Sequence, residues 1–366
     1  MKKLVCAALA AASVFSVACA VDSTGKLSPQ GARAYLDTIQ ALQDAYGKAA
    51  VAGADSPMEG MWQGLSLTRL VDFDADGIPE LYCGMGMSGQ RLYTYENSLK
   101  QLDIPTGVSN FGSDVSPETC LYVGADGAYL VEAMVEFFGN PVKYHTKQGD
   151  RMTVALTYTR DVDGEPAPVC TLNGAPVSED ALRAALDELT AGMTRYSYSY
   201  WDGLDDLSSP KGTVAETIAA LRGLTNPPAR VSTHRVRING KPVQLAAYEI
   251  GGNNYFKLRD LALALTDTDA RFEVSWNGAA QRIDLLSGKQ YTPVGGEGAA
   301  QLTAGQAALT TASVWLDGRR LDLTAYQIAG NNYFKLRDLA AALDFGVSWD
   351  GAAQQVTIDT AAAYQD

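Results

Sequence analysis

Residues 252–262 read GNNYFKLRDLA, and residues 330–340 read GNNYFKLRDLA again. The likeness extends outward on both sides. Upstream, Asn239-Gly240 is answered by Asp317-Gly318, and Tyr248-Glu249-Ile250 by Tyr326-Gln327-Ile328. Downstream, VSWNGAAQ at 274–281 is answered by VSWDGAAQ at 347–354. A repeat of this length marks one small folded unit present twice. Tandem units of this kind serve binding or spacing more often than catalysis, so the first expectation is attachment.

Each copy predicts the same succession: strand, strand, helix, strand, strand. In the first copy, 236–238 and 243–250 flank Asn239-Gly240, a dipeptide suited to a hairpin because both central residues must take positive φ. Asn253 and Asn254 are expected to cap a helix. Its Phe256, Leu258, Leu261, Ala262 and Leu265 form one apolar stripe. A second hairpin is expected over 272–276 and 282–286. One helix roofing a small antiparallel sheet is the economical packing, so each copy reads as a self-contained ββαββ module, 231–287 and 311–360. The stretch between, 288–310, is rich in glycine and small residues and reads as a flexible linker. Pro227-Pro228 closes an N-terminal α+β domain over 27–225.

The run from Tyr255 through Phe256, Lys257, Leu258, Arg259, Asp260, Leu261 and Ala262, followed by Val274-Ser275-Trp276, resembles the stalk-type module of Gram-positive exported proteins. The second copy, Phe334 to Ala340 and then Val347-Ser348-Trp349-Asp350, is similar to it again. That module is in turn similar to the small N-terminal domain of copper amine oxidases. The resemblance implies a unit of surface or cell-wall proteins and does not imply oxidase activity. Such oxidases need three histidines for copper and a tyrosine that becomes a quinone. This chain has two histidines, His145 and His234, so no copper is expected.

Two readings fit the aromatic residues of the repeat. In one, Tyr255, Phe256 and Trp276, with Tyr333, Phe334 and Trp349, form platforms for a cell-wall polymer or surface glycan, and Arg259 and Arg337 grip its anionic groups. In the other, the same rings fill small cores, which small domains need in order to bury enough surface.

The sharpest chemical motif lies in the N-terminal domain. Asp72-Phe73-Asp74-Ala75-Asp76-Gly77-Ile78-Pro79-Glu80 alternates acids and then turns on a glycine. Calcium takes six to eight oxygens, and this spacing wraps carboxylates around one point. Asp72, Asp74, Asp76, the Ile78 carbonyl and Glu80 are the candidate ligands. The loop is similar to the calcium loops of FG-GAP and related repeats. The competing reading is an Asp-Gly turn with solvated acids. Around it, Ser28-Pro29 and Ser178 start helices. Strands are expected over 65–71, 81–83, 91–95, 120–123, 129–135 and 152–158. Residues 196–201, YSYSYW, alternate as a strand with its tyrosines on one face.

The N-terminus sets the compartment. Lys2-Lys3, an apolar run over 4–18 and Ala18-Cys19-Ala20 read as a signal peptide over 1–20, too short to span a bilayer. A lipidated Cys19 is the alternative. The formal charge is −13, and −15 without Lys2 and Lys3, which argues against nucleic acid and anionic lipid as partners. Cys83, Cys120 and Cys170 would remain, too few and too widely spaced for a disulfide scaffold. No catalytic residue is assigned. Phosphate-loop and serine-elbow motifs are absent from the sequence, and a carbohydrate-active hydrolase in the N-terminal domain, working through two carboxylates and anchored by the repeats, is the alternative function.

Overall fold

A computed structural model describes residues 24–47, 64–65, 67–85, 89–104, 119–132, 141–161, 169–198, 214–298 and 302–365. The expected signal peptide, Cys19 with it, and the end of the 196–201 run lie outside these residues. The chain divides into two compact units. One comprises Asp37–Ala220 with the residues up to Leu27, the other Ser28–Leu36 with Leu221–Asp366.

The first helix, α1 (Pro29–Tyr46), opens on Ser28, whose hydroxyl accepts from the Gly31 amide at 3.0 Å. In the first unit, β1 (Leu67–Val71), β2 (Glu80–Gly84), β3 (Gln90–Tyr95) and β4 (Leu99–Leu102) form an antiparallel meander in that order. A second sheet holds β5 (Thr119–Gly124), β6 (Gly127–Glu132), β7 (Val142–Gln148), β8 (Arg151–Asp161), β9 (Val169–Leu172), β10 (Ala175–Val177) and β11 (Thr194–Tyr198). Its order is β10-β9-β8-β7-β6-β5-β11. Val71, Tyr82 and Leu92 of the first sheet pack against Leu121, Leu130 and Met152 of the second. The other face of the second sheet, with Tyr144, Val131 and Leu156, packs on Leu182 of α2 (Glu179–Leu189). Ser178 caps α2 by accepting from the Ala181 amide at 3.2 Å. On α3 (Val214–Thr225), Thr217 donates its hydroxyl to the Thr68 carbonyl at 3.1 Å. Cys83, Cys120 and Cys170 are buried and outside any disulfide among the described residues, and burial pushes the Cys83 thiol up.

The second unit contains both copies of the repeat, and here the expected fold class is corrected. Strands hold 45% of residues and helices 21%, in five sheets with five helices among the described residues, so the chain is mostly β and carries no ββαββ modules. The first copy has β13 (Arg235–Ile238), β14 (Lys241–Val243), β15 (Ala247–Ile250), β16 (Asn253–Lys257), α4 (Leu258–Leu265), β17 (Phe272–Asn277) and β18 (Arg282–Ser287). The second has β21 (Ser313–Leu316), β22 (Arg319–Leu321), β23 (Ala325–Ile328), β24 (Asn331–Lys335), α5 (Leu336–Leu343), β25 (Gly346–Asp350) and β26 (Gln355–Asp359). Three short strands complete the set: β12 (Pro228–Val231), and β19 (Gly305–Gln306) and β20 (Ala308–Leu309), both inside the stretch expected to be a linker.

Asn253 and Asn254 do not cap a helix. They begin β16, and α4 starts at Leu258 with no side-chain cap. The two asparagines pair with Ile250 and Glu249 of β15 in their own copy, and the other copy pairs the rest of the strand. β16 and β24 run antiparallel with Phe256 opposite Phe334, at the centre of the sheet β19-β12-β15-β16-β24-β23-β20. Strand alternation then sends neighbouring rings to opposite faces. Phe256 and Phe334 enter one core with the two helices, while Tyr255 and Tyr333 enter another with Tyr248 and Tyr326.

The outer hairpins are exchanged in the same way. β13 pairs parallel with β26, and β18 pairs parallel with β21. The first hairpin of each copy therefore completes a sheet with the last hairpin of the other. Leu258 and Leu336 are both 3% exposed, but the core they share contains residues of both copies. The hairpin turns at Asn239-Gly240 and Asp317-Gly318 take φ of 49°, 77°, 50° and 81°.

Candidate functional site

The acidic loop joins β1 to β2. Asp72 accepts from the Gly77 amide at 2.9 Å, and Asp76 from the Ile78 amide at 2.6 Å. Both bonds close the turn locally, and Gly77 takes φ 90° to allow it. The loop is then tied to the second sheet. The Phe73 carbonyl accepts from the Ala128 amide and from the Thr146 hydroxyl, each at 3.1 Å. Gly127 permits that approach, since a Cβ there would lie 2.5 Å from the Phe73 oxygen.

Asp72, Asp74 and Glu80 converge, with one carboxylate oxygen from each lying within 4.8 Å of the others. Such an acidic cluster could hold a metal ion. Among the described residues the buried Asp72 Oδ1 and Asp74 Oδ1 atoms have no hydrogen-bond partner, which suits them to a hard cation. Asp76 and Ile78 stand outside this group. The Asp76 main-chain oxygen accepts from Lys26 Nζ at 2.9 Å, and Ile78 contributes its amide to the turn.

Sequence reasoning missed Lys147. The pairing of β7 with β8 skips Ala155 opposite Tyr144 and His145, and Lys147 of β7 projects into the cluster with its side chain 2% exposed. Its Nζ lies 2.8 Å from Asp74, 3.1 Å from Glu80 and 3.7 Å from Asp76. Burial opposes the ammonium, but the Asp74 hydrogen bond and the Glu80 charge outweigh it, so Lys147 is held charged. Burial also pushes Glu80 up to about 7, against the pull of Lys147 and of the Phe73 amide. Thr94 donates to the same carboxylate at 3.0 Å. Nothing local to the Asp-rich run signals a lysine 73 residues further along the chain from Asp74.

In the second unit a cleft of about 490 Å³ opens between the copies. Its walls bring His234, Glu249, Asn253 and Asn254 of the first copy against Lys335, Arg337 and Trp349 of the second. Trp349 is 42% exposed, and its ring centre lies 4.6 Å from that of His234. His234 Nδ1 sits 2.8 Å from Asn254 Oδ1, which also accepts from Ser232 at 3.1 Å. His234 Nε2 is 4.0 Å from Glu249. The matching place in the other copy is Ala312, whose amide donates to Thr310 as that of His234 does to Ser232.

The candidate binding residues separate by exposure. Tyr255, Phe256, Tyr333 and Phe334 are 6%, 1%, 2% and 0% exposed, so their rings are committed to the two cores. Burial pushes the Tyr333 hydroxyl up to about 12. Trp276 and Trp349 keep open faces at 47% and 42% exposure. Arg337 is exposed and Arg259 half-buried. Of these eight residues the cleft gathers Arg337 and Trp349. Its polar wall of His234, Glu249 and two asparagines was not legible, because it forms only where β15 and β16 meet the other copy.

A scan against protein-family models, a search of curated proteins and a search of solved structures gave no match to this chain. The likeness to stalk-type modules rests on the residues quoted above. No helix among the described residues is long and apolar enough to cross a membrane.

Proposed function

We propose that this chain is an exported surface protein whose repeat unit attaches it to a hydroxyl-rich, anionic polymer of the cell-wall or surface-glycan kind. The observation that carries this reading is the Trp349–His234 pair at the edge of a cleft shared with Arg337 and Lys335. An open indole face stacks on a sugar ring, the asparagine amides and Glu249 suit hydroxyls, and the basic pair suits acidic groups. These cations stand out on a chain of formal charge −13. Among the described residues this cleft has one carboxylate, Glu249, whereas glycosidase chemistry takes a pair, so attachment is the reading for this cleft.

The test is co-sedimentation of the full chain with purified cell wall. Trp349→Ala should weaken retention roughly tenfold, about 1.4 kcal/mol. Trp276→Ala, which has no histidine beside it, should leave retention unchanged. Equal retention of all three proteins would remove the reading.

For the Asp-rich loop we propose a structural cation role, with calcium as the metal the all-oxygen donor set prefers. Asp72, Asp74 and Glu80 would hold it, and it would supply the charge that Lys147 otherwise supplies. The two unpartnered oxygens support the fit, and the Lys147 ammonium makes any such site weak.

A further inference from the structure

The two copies of the repeat close one hydrogen-bonded frame, and the first copy adds two groups to it. In the second copy Thr310 donates its hydroxyl to Asn332 at 3.1 Å and accepts from the Ala312 amide at 3.3 Å. The first copy does the same through Ser232, which donates to Asn254 at 3.1 Å and accepts from the His234 amide at 3.3 Å. His234 thus stands where the other copy has Ala312, and Glu249 stands where it has Gln327. The second copy closes this frame over alanine and glutamine, so the frame does not depend on the imidazole or the carboxylate.

The frame does orient the imidazole. Asn254 Oδ1 is an acceptor, because Ser232 donates to it, so His234 Nδ1, 2.8 Å away, donates to the same oxygen. In a neutral imidazole with its proton on Nδ1, Nε2 is an acceptor. That atom faces the Glu249 carboxylate at 4.0 Å. Two acceptors cannot bond each other, and a donor about 2.8 Å from each fits between them. A hydroxyl has one proton and satisfies one of the two. An ammonium has three and satisfies both.

Trp349 adds a third contact, with its ring centre 4.6 Å from that of His234. The face of an indole attracts a cation. Its exposure is a property of the hairpin: Trp276, in the copy whose lysine is covered by the Gly296 carbonyl, is 47% exposed against 42% for Trp349.

We propose that His234, Glu249 and Trp349 form a subsite for a primary ammonium, so that the polymer taken by this cleft carries free amino groups beside its acidic ones. This rests on the attachment reading and narrows it. The ammonium donates to Nε2 and to the carboxylate and lies against the indole face. Arg337 lines the same cleft and meets the acidic neighbour, so the repeat unit that fits is zwitterionic.

The test is co-sedimentation of the full chain with purified cell wall, either untreated or N-acetylated with acetic anhydride. Acetylation removes the charge of the amino groups and leaves the acids in place. The acetylated wall should retain the wild type roughly tenfold less well. Glu249→Gln and His234→Ala install the residues of the other copy. Both should fall to that lower level on untreated wall and respond no further to acetylation. Wild-type retention that acetylation leaves unchanged overturns the inference, while a loss in Trp349→Ala would still uphold attachment. A Glu249→Gln protein that distinguishes the two walls as the wild type does also overturns it. No retention on either wall removes both readings. The acetylation comparison uses the wild type alone, so it decides the matter even where a variant fails to fold.

Discussion

Lys147 is a charge placed among three acids and sealed from water, and its worth lies in what its loss would strand. Removing one member of a buried ion pair costs about 3–5 kcal/mol. Lys147→Met should therefore lower the melting temperature of the first unit by roughly 10 °C, read by circular dichroism. Millimolar Ca²⁺ should recover part of that loss in the variant and little in the wild type, where the ammonium already sits on Asp74 and Glu80. A variant that calcium does not stabilise would remove the metal proposal while leaving the structural role of Lys147. His145 gives a second residue-scale expectation. Burial, and then the charge of Lys143, lowers its pKa to about 4 from an ordinary 6.5. The unfolded chain takes up that proton first, so stability is lost as pH falls from about 6.5 through about 4. His145→Gln should flatten that part of the stability–pH curve in urea titrations.

Among the elements, the strap of residues 291–298, held to Thr266 and Glu273, and the hairpin turns do the joining. Glu297 accepts from the Tyr291 hydroxyl, then from the Val294 and Gly295 amides, and its pKa is lowered to about 2 from an ordinary 4.5. A depressed carboxyl contributes stability above its unfolded pKa and loses it as pH falls through the folded one. Strap amides should therefore stay protected from hydrogen exchange at neutral pH and lose protection between about pH 4.5 and 2. Glu297→Gln should lose part of it at neutral pH. The turns act across the copies. Asp317 accepts from the Ser287 amide at 3.0 Å and hydroxyl at 2.6 Å, and Asn239 exchanges hydrogen bonds with Thr360 at 2.8 and 2.9 Å. Each turn thus ties the first hairpin of one copy to the last strand of the other. Asp317→Ala should cost about 1–3 kcal/mol in chemical denaturation, whereas Asp322→Ala, outside these contacts, should cost less than about 0.5 kcal/mol.

At the scale of the whole molecule, the exchange of hairpins makes the repeat pair one cooperative object. Phe256 and Phe334 face each other at its centre and are 1% and 0% exposed. Phe256→Ala should cost about 3–5 kcal/mol, and calorimetry should show the two copies unfolding in one transition. A fragment of residues 231–287 alone should be unfolded by circular dichroism, since its outer strands find their partners only in the second copy. A folded single copy would contradict the interlocked arrangement.

The sequence by itself determined the local pieces: the duplication, the turns at Asn239-Gly240 and Asp317-Gly318, the caps at Ser28 and Ser178, the Leu258 and Leu336 stripes, and the acids brought together at Asp72, Asp74 and Glu80. Each is set by dihedral preference, capping chemistry or period over a few residues. Only the tertiary structure decided that the copies interlock, that NNYFK is strand rather than helix cap, that Lys147 fills the acidic cluster, and that the two KLRD ion pairs are buried to different depths. A strand's hydrogen bonds and a buried charge's counter-ion are satisfied by groups distant in the chain. Two identical segments can therefore meet different neighbours, and no local pattern records which neighbours those are.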